Sequence, residues 1–335
     1  MASVPMYSQE SSLRSADLLS SLAAGPETRS LRELGAPSAK SAARLRAVAT
    51  GIRAALLGVA LAGTASAQTI VISFDGFAST GGLTINSAAT IATTADGSVL
   101  RLVAAPNTNQ AGSAFASAPV NADGFSTAFD FRLSSPGGVS DGQETGADGF
   151  TFTLQTVGAT SVGPYGVNLG YGGINPSMAV EFDTFFNSGY DPSLASGGGN
   201  HVAVDTNGNL NSAANAVGVS PRFDNGVKWT AWIDYNGTVL EVRVSDTGVR
   251  PASPTLTRTI NLASTLGSSN AYVGFTAGTG SAFANHDILD WAYSDTFVSG
   301  GISPPLAVPE PATYELILIG AGLVWLRRRR LRLAR

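Results

Sequence analysis

Apolar and polar side chains alternate along many short segments in the middle of this chain. The alternation is clearest over residues 125–133 and 149–155, where almost every second side chain is apolar. A period of two residues predicts β-strands that bury one face. The same pattern, bounded by Gly, Pro, Asn and Ser, predicts further strands over 69–74, 98–103, 201–205, 229–235, 238–244, 271–277 and 288–294.

The connections between these segments are typical of an antiparallel β protein. Asn236-Gly237 separates two alternating segments, and this dipeptide is a strong hairpin signal. Long helical periodicity is missing from the region. About a dozen short strands over ~225 residues predict an all-β sandwich or barrel, and their spacing suits a jelly-roll sandwich.

The first 67 residues carry the features of an export leader. Arg44, Arg46 and Arg53 precede an apolar run over 54–62, and Ala65-Ser66-Ala67 follows that run. A basic region, a short apolar region and an A-x-A site in this order predict a helical signal peptide, preceded by an N-terminal extension. Cleavage would follow the A-x-A site, so that the exported domain begins at residue 68. A short buried helix is the alternative.

The C-terminus has a second three-part pattern. Val308-Pro309-Glu310-Pro311 precedes an apolar run over 316–326, predicted as a short hydrophobic helix, and four arginines follow at 327–330. Residues 308–335 resemble the PEP-CTERM sorting signal of Gram-negative bacteria that make exopolysaccharide, with residues 297–311 as a Pro/Gly linker. The resemblance implies an exosortase-type processing enzyme as a partner and a transient inner-membrane anchor with its arginines in the cytoplasm. An ordinary membrane anchor is the alternative.

Charge and composition narrow the range of partners. Residues 68–311 contain 7 Lys and Arg against 19 Asp and Glu, a net charge of −12, whereas the whole chain has −4. An acidic domain argues against nucleic acid as a partner, because phosphate binding needs a basic face, and it is compatible with cation binding. The chain has no Cys, which excludes disulfides and thiol chemistry.

Five candidate metal ligands lie close together in the sequence. Glu181 and Asp183 alternate as if they projected from one face of a strand, and Asn187, Asp191 and His201 follow. Hard oxygen ligands with one His suit two divalent cations: Ca²⁺ in an all-oxygen site and Mn²⁺ or a similar transition ion in the site that includes the His. Acids on a solvated strand face are the alternative interpretation.

At these residues the chain resembles the legume (L-type) lectins. Their metal segment has the form E-x-D-[TS]-[FY]-x-N, then D-P, then H-[IV]-[AG]-[IV]-[DN], and residues 181–187, 191–192 and 201–205 match it. The resemblance extends over about residues 69–295 and implies a concanavalin-like jelly-roll domain over 68–296. It implies that the transition-metal ligands are Glu181, Asp183, Asp191 and His201, and that the Ca²⁺ ligands are Asp183, Asn187, Asp191 and the carbonyl of Phe185. The gap between Asp191 and His201 is longer than is usual in the family.

The resemblance also implies a sugar site. Ala147-Asp148-Gly149 resembles the family's A-D-G motif, in which the Ala-Asp peptide is cis and the Asp accepts hydrogen bonds from two sugar hydroxyls. Asn187 would donate from its amide while its oxygen binds Ca²⁺, and Phe185 would stack on the sugar ring. A backbone N–H of the Gly-rich stretch 163–170, taken as that of Gly166 with Gly170 as the alternative, would complete the set.

Three functions follow from these observations. The first is an exported, non-enzymatic carbohydrate-binding protein with a Ca²⁺/Mn²⁺-stabilised sugar site, sorted to the cell surface or the exopolysaccharide matrix. The second is a structural or adhesion protein of the matrix that keeps the lectin fold without binding sugar. The third is a glycoside hydrolase on the same sandwich. Jelly-roll glucanases carry two catalytic acids as E-x-D-x-x-E, and Phe186 occupies the position of the last acid here, which argues against hydrolysis.

Overall fold

The computed structural model describes residues 70–194, 198–211 and 216–305. The predicted signal peptide and the predicted sorting signal lie outside the described residues. Within those three ranges, no helix is both long enough and apolar enough to span a membrane.

The described residues form sixteen β-strands, one short α-helix and one 3₁₀ turn. In chain order they are β1 (Ile70–Phe74), β2 (Leu83–Ser87), β3 (Thr90–Thr94), β4 (Gly97–Val103), β5 (Ala111–Ala116), β6 (Val120–Asn121), β7 (Phe125–Gly138), β8 (Gly149–Gln155), the 3₁₀ turn (Gly166–Asn168), β9 (Ser177–Asp183), β10 (His201–Thr206), β11 (Val217–Gly218), β12 (Trp229–Tyr235), β13 (Val239–Ser245), β14 (Leu256–Thr259), α1 (Leu262–Leu266), β15 (Asn270–Gly278) and β16 (Ala282–Ser294).

These strands build two antiparallel sheets of eight strands each, which confirms the all-β sandwich. Sheet A has the spatial order β14-β13-β12-β7-β16-β4-β3, with β1 on the same edge of β16 as β4. Sheet B has the order β11-β10-β9-β8-β15-β5-β2, with β6 beside β15. Neighbours in space are mostly distant in sequence, as expected of a jelly roll.

Aromatic rings fill the space between the two sheets. Phe129 of sheet A meets Phe275 of sheet B edge to face, with ring centroids 4.9 Å apart, and Phe131 meets Phe150 at 5.0 Å. Trp291 packs against Phe275 from sheet A, also at 5.0 Å. All five side chains are fully buried. Truncating one ring, as in Phe129→Ala, would therefore cost about 3–5 kcal/mol of unfolding free energy.

The outer face of sheet B is polar and covered by other residues, and the candidate metal ligands lie on it. Along β9, Val180 and Phe182 point into the core, so that Glu181 and Asp183 project from the opposite face. That face is nevertheless buried, because a small apolar cluster packs outside the sheet; its members are Leu169, Tyr171, Ile174, Ala179 and Leu210. The acids of β9 therefore lie in an enclosed layer and not on a solvated face.

The segment after β16 packs on the outer face of sheet A. The N–H of Val298 donates to Ser126 Oγ at 3.0 Å. Ile302 is only 5% exposed and belongs to an apolar cluster with Ala128, Trp232 and Ala292. The first residues of the predicted linker are thus packed against the sandwich.

Candidate functional site

Strand pairing brings the candidate metal ligands together. Strands β9 and β10 are antiparallel neighbours in sheet B, with His201 opposite Asp183 and Ala203 opposite Glu181. All of these side chains lie on the outer face of the sheet, because the alternate positions Val202 and Phe182 belong to the core. One Glu, one Asp and one His from two strands therefore converge.

The three side chains are close enough to share a cation. Ligand atoms of Glu181, Asp183 and His201 all lie within 4.8 Å of one another. His201 Nε2 is 3.4 Å from Glu181 Oε2, and its Nδ1 is 2.8 Å from the carbonyl oxygen of Gly198. The Gly198 contact orients the imidazole so that Nε2 faces the acids, the second-sphere arrangement usual for a metal-ligating His. The long gap before His201 does not displace its ring from the acids.

The loop after β9 supplies the remaining predicted ligands. The N–H of Phe185 donates to Asp183 Oδ1 at 2.6 Å, and the N–H of Asn187 donates to Asp191 Oδ2. Within the described part of the chain, Asp183 Oδ2 and Asn187 Oδ1 are buried without a hydrogen-bond partner. Buried acceptors left without a donor are costly, and a cation would satisfy them. The donor set therefore fits the ions that the sequence predicted.

Crowding of acids perturbs their protonation. Burial, followed by the charges of Asp191 and Glu181, raises the pKa of Asp183 well above its usual range. Burial also raises the pKa of Asp191 to about 6, and burial with the charge of Glu181 raises the pKa of Asp205. Burial lowers the pKa of His201, so its imidazole is neutral, as a metal ligand must be. Bound cations would favour the ionised carboxylates and would therefore oppose these upward pKa shifts.

The predicted sugar-binding residues line one cavity beside the metal ligands. The cavity has a volume of about 260 Å³. Its lining includes all four of them, Asp148, Gly166, Phe185 and Asn187. Residues just before β8, in the 3₁₀ turn and in the loop after β9 therefore converge, although they lie up to 39 positions apart in the sequence.

The local backbone aims Asp148 into the cavity. The Ala147–Asp148 peptide is cis, as the resemblance implied. The N–H of Asp148 donates to the carbonyl of Gly278 at 3.0 Å, and its own carbonyl accepts from the N–H of Thr184 at 2.8 Å. Gly149 has φ +148°, and a Cβ there would lie 2.3 Å from the carbonyl oxygen of Phe182, so only glycine fits. Burial raises the pKa of Asp148 to about 7, against a lowering contact from the N–H of Gly280.

Both glycines that the sequence interpretation offered as backbone donors make hydrogen bonds within the chain. Gly166 lines the cavity, but its N–H donates to the carbonyl of Thr279 at 3.2 Å. The alternative, Gly170, donates its N–H to the carbonyl of Pro164 at 2.9 Å. A sugar hydroxyl would have to replace one of these hydrogen bonds to reach either amide, so the Gly166 donor, with Gly170 as the alternative, stays a prediction.

Other residues of the cavity escaped the sequence interpretation. Val139, which is half exposed, and the turn Gly280-Ser281 between β15 and β16 also line it. The Gly-Thr-Gly-Ser composition of residues 278–281 signals a tight turn. Periodicity could not show that this turn folds back onto Asp148.

Comparisons with known proteins agree with this geometry. A family model described as legume lectin domain matches residues 69–305, and a PEP-CTERM protein-sorting motif model matches residues 307–330. Favin from Vicia faba is 30% identical over 178 residues, which is 52% of this chain and 71% of favin.

Longer proteins and solved structures match as well. The L-type lectin-domain containing receptor kinase SIT2 of Oryza sativa subsp. japonica is 30% identical over 192 residues, 47% of this chain; the match spans only 27% of that relative. The crystal structure of basic winged bean lectin with Tn-antigen superposes with a TM-score of 0.55 at 26% identity, covering 68% of this chain and 98% of that one.

Proposed function

Because the chain belongs to the legume lectin domain family, we propose that it is a metal-dependent carbohydrate-binding protein that is exported and sorted to the cell surface or matrix. The family and the lectin structures that the chain resembles indicate a non-enzymatic protein. The finer parts of the proposal are the two cations, the sugar-contacting residues and the destination.

One observation carries the proposal. The cavity that holds Asp148, Phe185 and Asn187 lies directly beside the cluster of Glu181 and His201. A carboxylate acceptor, an aromatic face and an amide around one cavity of about 260 Å³ provide the types of contact that a monosaccharide needs. Asn187 lines the cavity and is also an expected Ca²⁺ ligand, so sugar binding would depend on metal.

The roles of the residues follow from their positions. Glu181, Asp183, Asp191 and His201 would hold Mn²⁺ or a similar ion. Asp183, Asn187, Asp191 and the carbonyl of Phe185 would hold Ca²⁺. Bound cations would supply positive charge that keeps these carboxylates ionised and fixes the loop between β9 and β10. Asp148 would then accept from two sugar hydroxyls, Asn187 would donate its amide, and the Phe185 ring would cover the apolar face of the sugar.

The two chain ends carry the second part of the proposal. We propose that residues 1–67 are an extension and signal peptide, and that the lectin domain spans residues 68–296. Residues 297–311 would link it to the sorting signal, which the PEP-CTERM match supports. An exosortase-type enzyme would process the chain after a transient inner-membrane stage, which leads to the surface or exopolysaccharide matrix of a Gram-negative bacterium.

A glycan array with the purified full chain tests the proposal. We expect binding in Ca²⁺ and Mn²⁺, loss of binding with a chelator, and recovery when the ions return. Asp148→Asn should abolish sugar binding without changing metal affinity. Asn168→Ala, a change in the 3₁₀ turn, should leave sugar binding intact. Metal-independent binding, or no binding at all with both ions present, would refute the proposal.

One observation favours the matrix protein without sugar binding as a second candidate. The N–H groups of Gly166 and Gly170 both donate to carbonyls of the chain, so either would have to give up that hydrogen bond to serve as the backbone donor that the family resemblance implied. If the array is negative although calorimetry shows that both cations bind, this second function is supported.

A further inference from the structure

Four hydrogen bonds to side chains hold the backbone that presents the Phe185 carbonyl, in addition to two that Thr184 donates to the Asp148 carbonyl. The carbonyl of Thr184 accepts from the guanidinium of Arg222. The N–H groups of the next three residues donate to carboxylates: Phe185 to Asp183, Phe186 to Asp141 and Asn187 to Asp191. This run of residues 184–187 is called the metal loop below.

The four contacts are of two kinds. Asp183 and Asp191 are themselves expected metal ligands, so a cation would compete with the loop for their oxygens. Arg222 and Asp141 are outside the ligand set, and their contacts need not change when ions bind. Arg222 holds the peptide group just before the Phe185 carbonyl, and Asp141 holds the peptide group that contains it, through the Phe186 N–H. The Phe185 carbonyl is an expected Ca²⁺ ligand.

Arg222 is built into a network and is not a loose surface charge. Its side chain is 14% exposed, and its Nε and Nη2 donate to the two carboxylate oxygens of Asp224, both at 3.0 Å. Its Nε also lies 3.6 Å from Glu144, in the loop that leads to Asp148. Within the same junction, a Cβ on Gly146 would sit 2.5 Å from Asp224 Oδ2. The guanidinium thus joins the metal loop to the segment that ends in the sugar-binding carboxylate.

Asp141 completes the junction from the same segment. Its carboxylate accepts from the N–H groups of Gln143 at 2.9 Å and Glu144 at 3.1 Å, as well as from Phe186 at 3.1 Å. These contacts fix the turn locally, and the third one fastens it to the metal loop. Arg222 is one of seven Lys and Arg residues between 70 and 305. The other six lie on or near strands of sheet A.

We propose that Arg222 and Asp141 are positioning residues that hold the Phe185 carbonyl in place for Ca²⁺ before the ion arrives, and that couple the metal loop to Asp148. The proposal rests on the proposed function only in that the site binds Ca²⁺. We call Arg222 and Asp141 the clamp. A loop that is ordered before binding loses less conformational entropy when the ion binds, so the clamp strengthens metal affinity without contacting the metal.

The first experiment compares two arginines with the same kind of partner. Arg222→Met removes the clamp, whereas Arg101→Met removes a bidentate pair with Asp287 on sheet A, where the two bonds are both 2.7 Å. Calcium dissociation constants are measured by calorimetry on the metal-stripped full chain in mild detergent. We expect Arg222→Met to raise the Kd about tenfold, Arg222→Lys to recover part of the loss, and Arg101→Met to leave Kd unchanged.

The unfolding free energy of the metal-free protein shows whether Arg222 positions the metal loop or only supports the fold. Arg222→Met and Arg101→Met should lower this free energy by similar amounts, since each variant removes one bidentate pair. An unchanged Kd in Arg222→Met would overturn the proposal, even if that variant were less stable. A wild-type chain that binds no Ca²⁺ would instead refute the proposed function.

A second pair of variants decides the matter if Arg222→Met does not fold. Asp141→Ala removes the acceptor of the Phe186 N–H from a partly exposed turn, and Gln143→Ala changes the exposed side chain two residues away. We expect the Kd for Ca²⁺ to rise several-fold in Asp141→Ala and not in Gln143→Ala. Equal constants in the two variants would overturn the proposal.

Discussion

His286 should make the protein sensitive to acid, and the size of the effect can be worked from its surroundings. The side chain is completely buried on β16, opposite Val103 of β4 and Leu133 of β7, which are both core residues. Within the described residues neither ring nitrogen has a hydrogen-bond partner. The imidazole is therefore buried in its neutral form, and burial lowers its pKa to about 3.

The sign of the effect follows from proton binding in the two states. In the unfolded chain the imidazole takes up a proton near pH 6.5, whereas in the folded chain it does so only near pH 3. Between these values the unfolded state binds more protons, so unfolding free energy falls as the pH falls. At pH 5 the loss relative to pH 8 from this residue alone is about 2 kcal/mol.

Urea unfolding of wild type and His286→Leu at pH 8, 6.5 and 5 tests this value. Leu fills a similar volume and does not titrate. The unfolding free energy of the variant minus that of wild type should therefore rise by about 2 kcal/mol when the pH is lowered from 8 to 5. Ile288→Leu, an inward neighbour on the same strand, is the control and should show a difference from wild type that is independent of pH. If the curves for wild type and His286→Leu stay parallel, the imidazole is not buried in its neutral form and the reasoning is wrong.

Three further predictions concern the metal site, the tail and the turn at the sugar cavity. Because burial raises the pKa of Asp148 to about 7 and that of Asp191 to about 6, these two carboxyls should stabilise the metal-free chain by about 4 kcal/mol as pH falls from 8 to 5. This gain exceeds the loss from His286, so thermal melts should show a net rise in stability, and Ca²⁺ should reverse this trend. Ile302→Asp should cost about 2–4 kcal/mol in urea unfolding, whereas Phe297→Ser, at a side chain already 44% exposed, should cost far less. Gly149→Ala should abolish sugar binding on the array, because its Cβ would collide with a carbonyl 2.3 Å away; full binding would contradict the geometry.

The strands that sequence patterns identified are those whose two faces differ. Alternation predicted β7, β8, β12, β13 and most of β15, where one face meets the aromatic core. It did not predict β5, whose sequence Ala-Gly-Ser-Ala-Phe-Ala is small and nearly uniform. The structure explains that composition: a Cβ on Gly112 would lie 2.0 Å from the carbonyl oxygen of Leu102, so a neighbouring main chain requires glycine there. A close approach of two main chains leaves no periodic signal.

The site was predictable in part for a similar reason. Glu181, Asp183 and His201 could be grouped because they lie on adjacent strands with a fixed period. Asp148 joined them only through the resemblance, since its position depends on the pairing of Gly149 with Asp183 across β8 and β9. Contacts such as that of Arg222 with Thr184 connect positions 38 residues apart without any pattern in the sequence, and only the folded chain reveals them.

The buried acids of sheet A and those on the outer face of sheet B have different neighbours, and this difference supports cation binding. On sheet A each such acid lies against a base of the chain itself: Asp287 against Arg101, Asp130 against Lys228, and Asp234 against Arg243 and Arg250. On the outer face of sheet B, burial and neighbouring acids raise the pKa values of Asp183 on β9 and Asp205 on β10, and burial lowers that of His201 beside them. Buried carboxylates that lack a basic partner are stable only when protonated or bound to metal. At neutral pH, cations bound between Asp183 and its neighbours would supply the positive charge that Arg and Lys supply on sheet A.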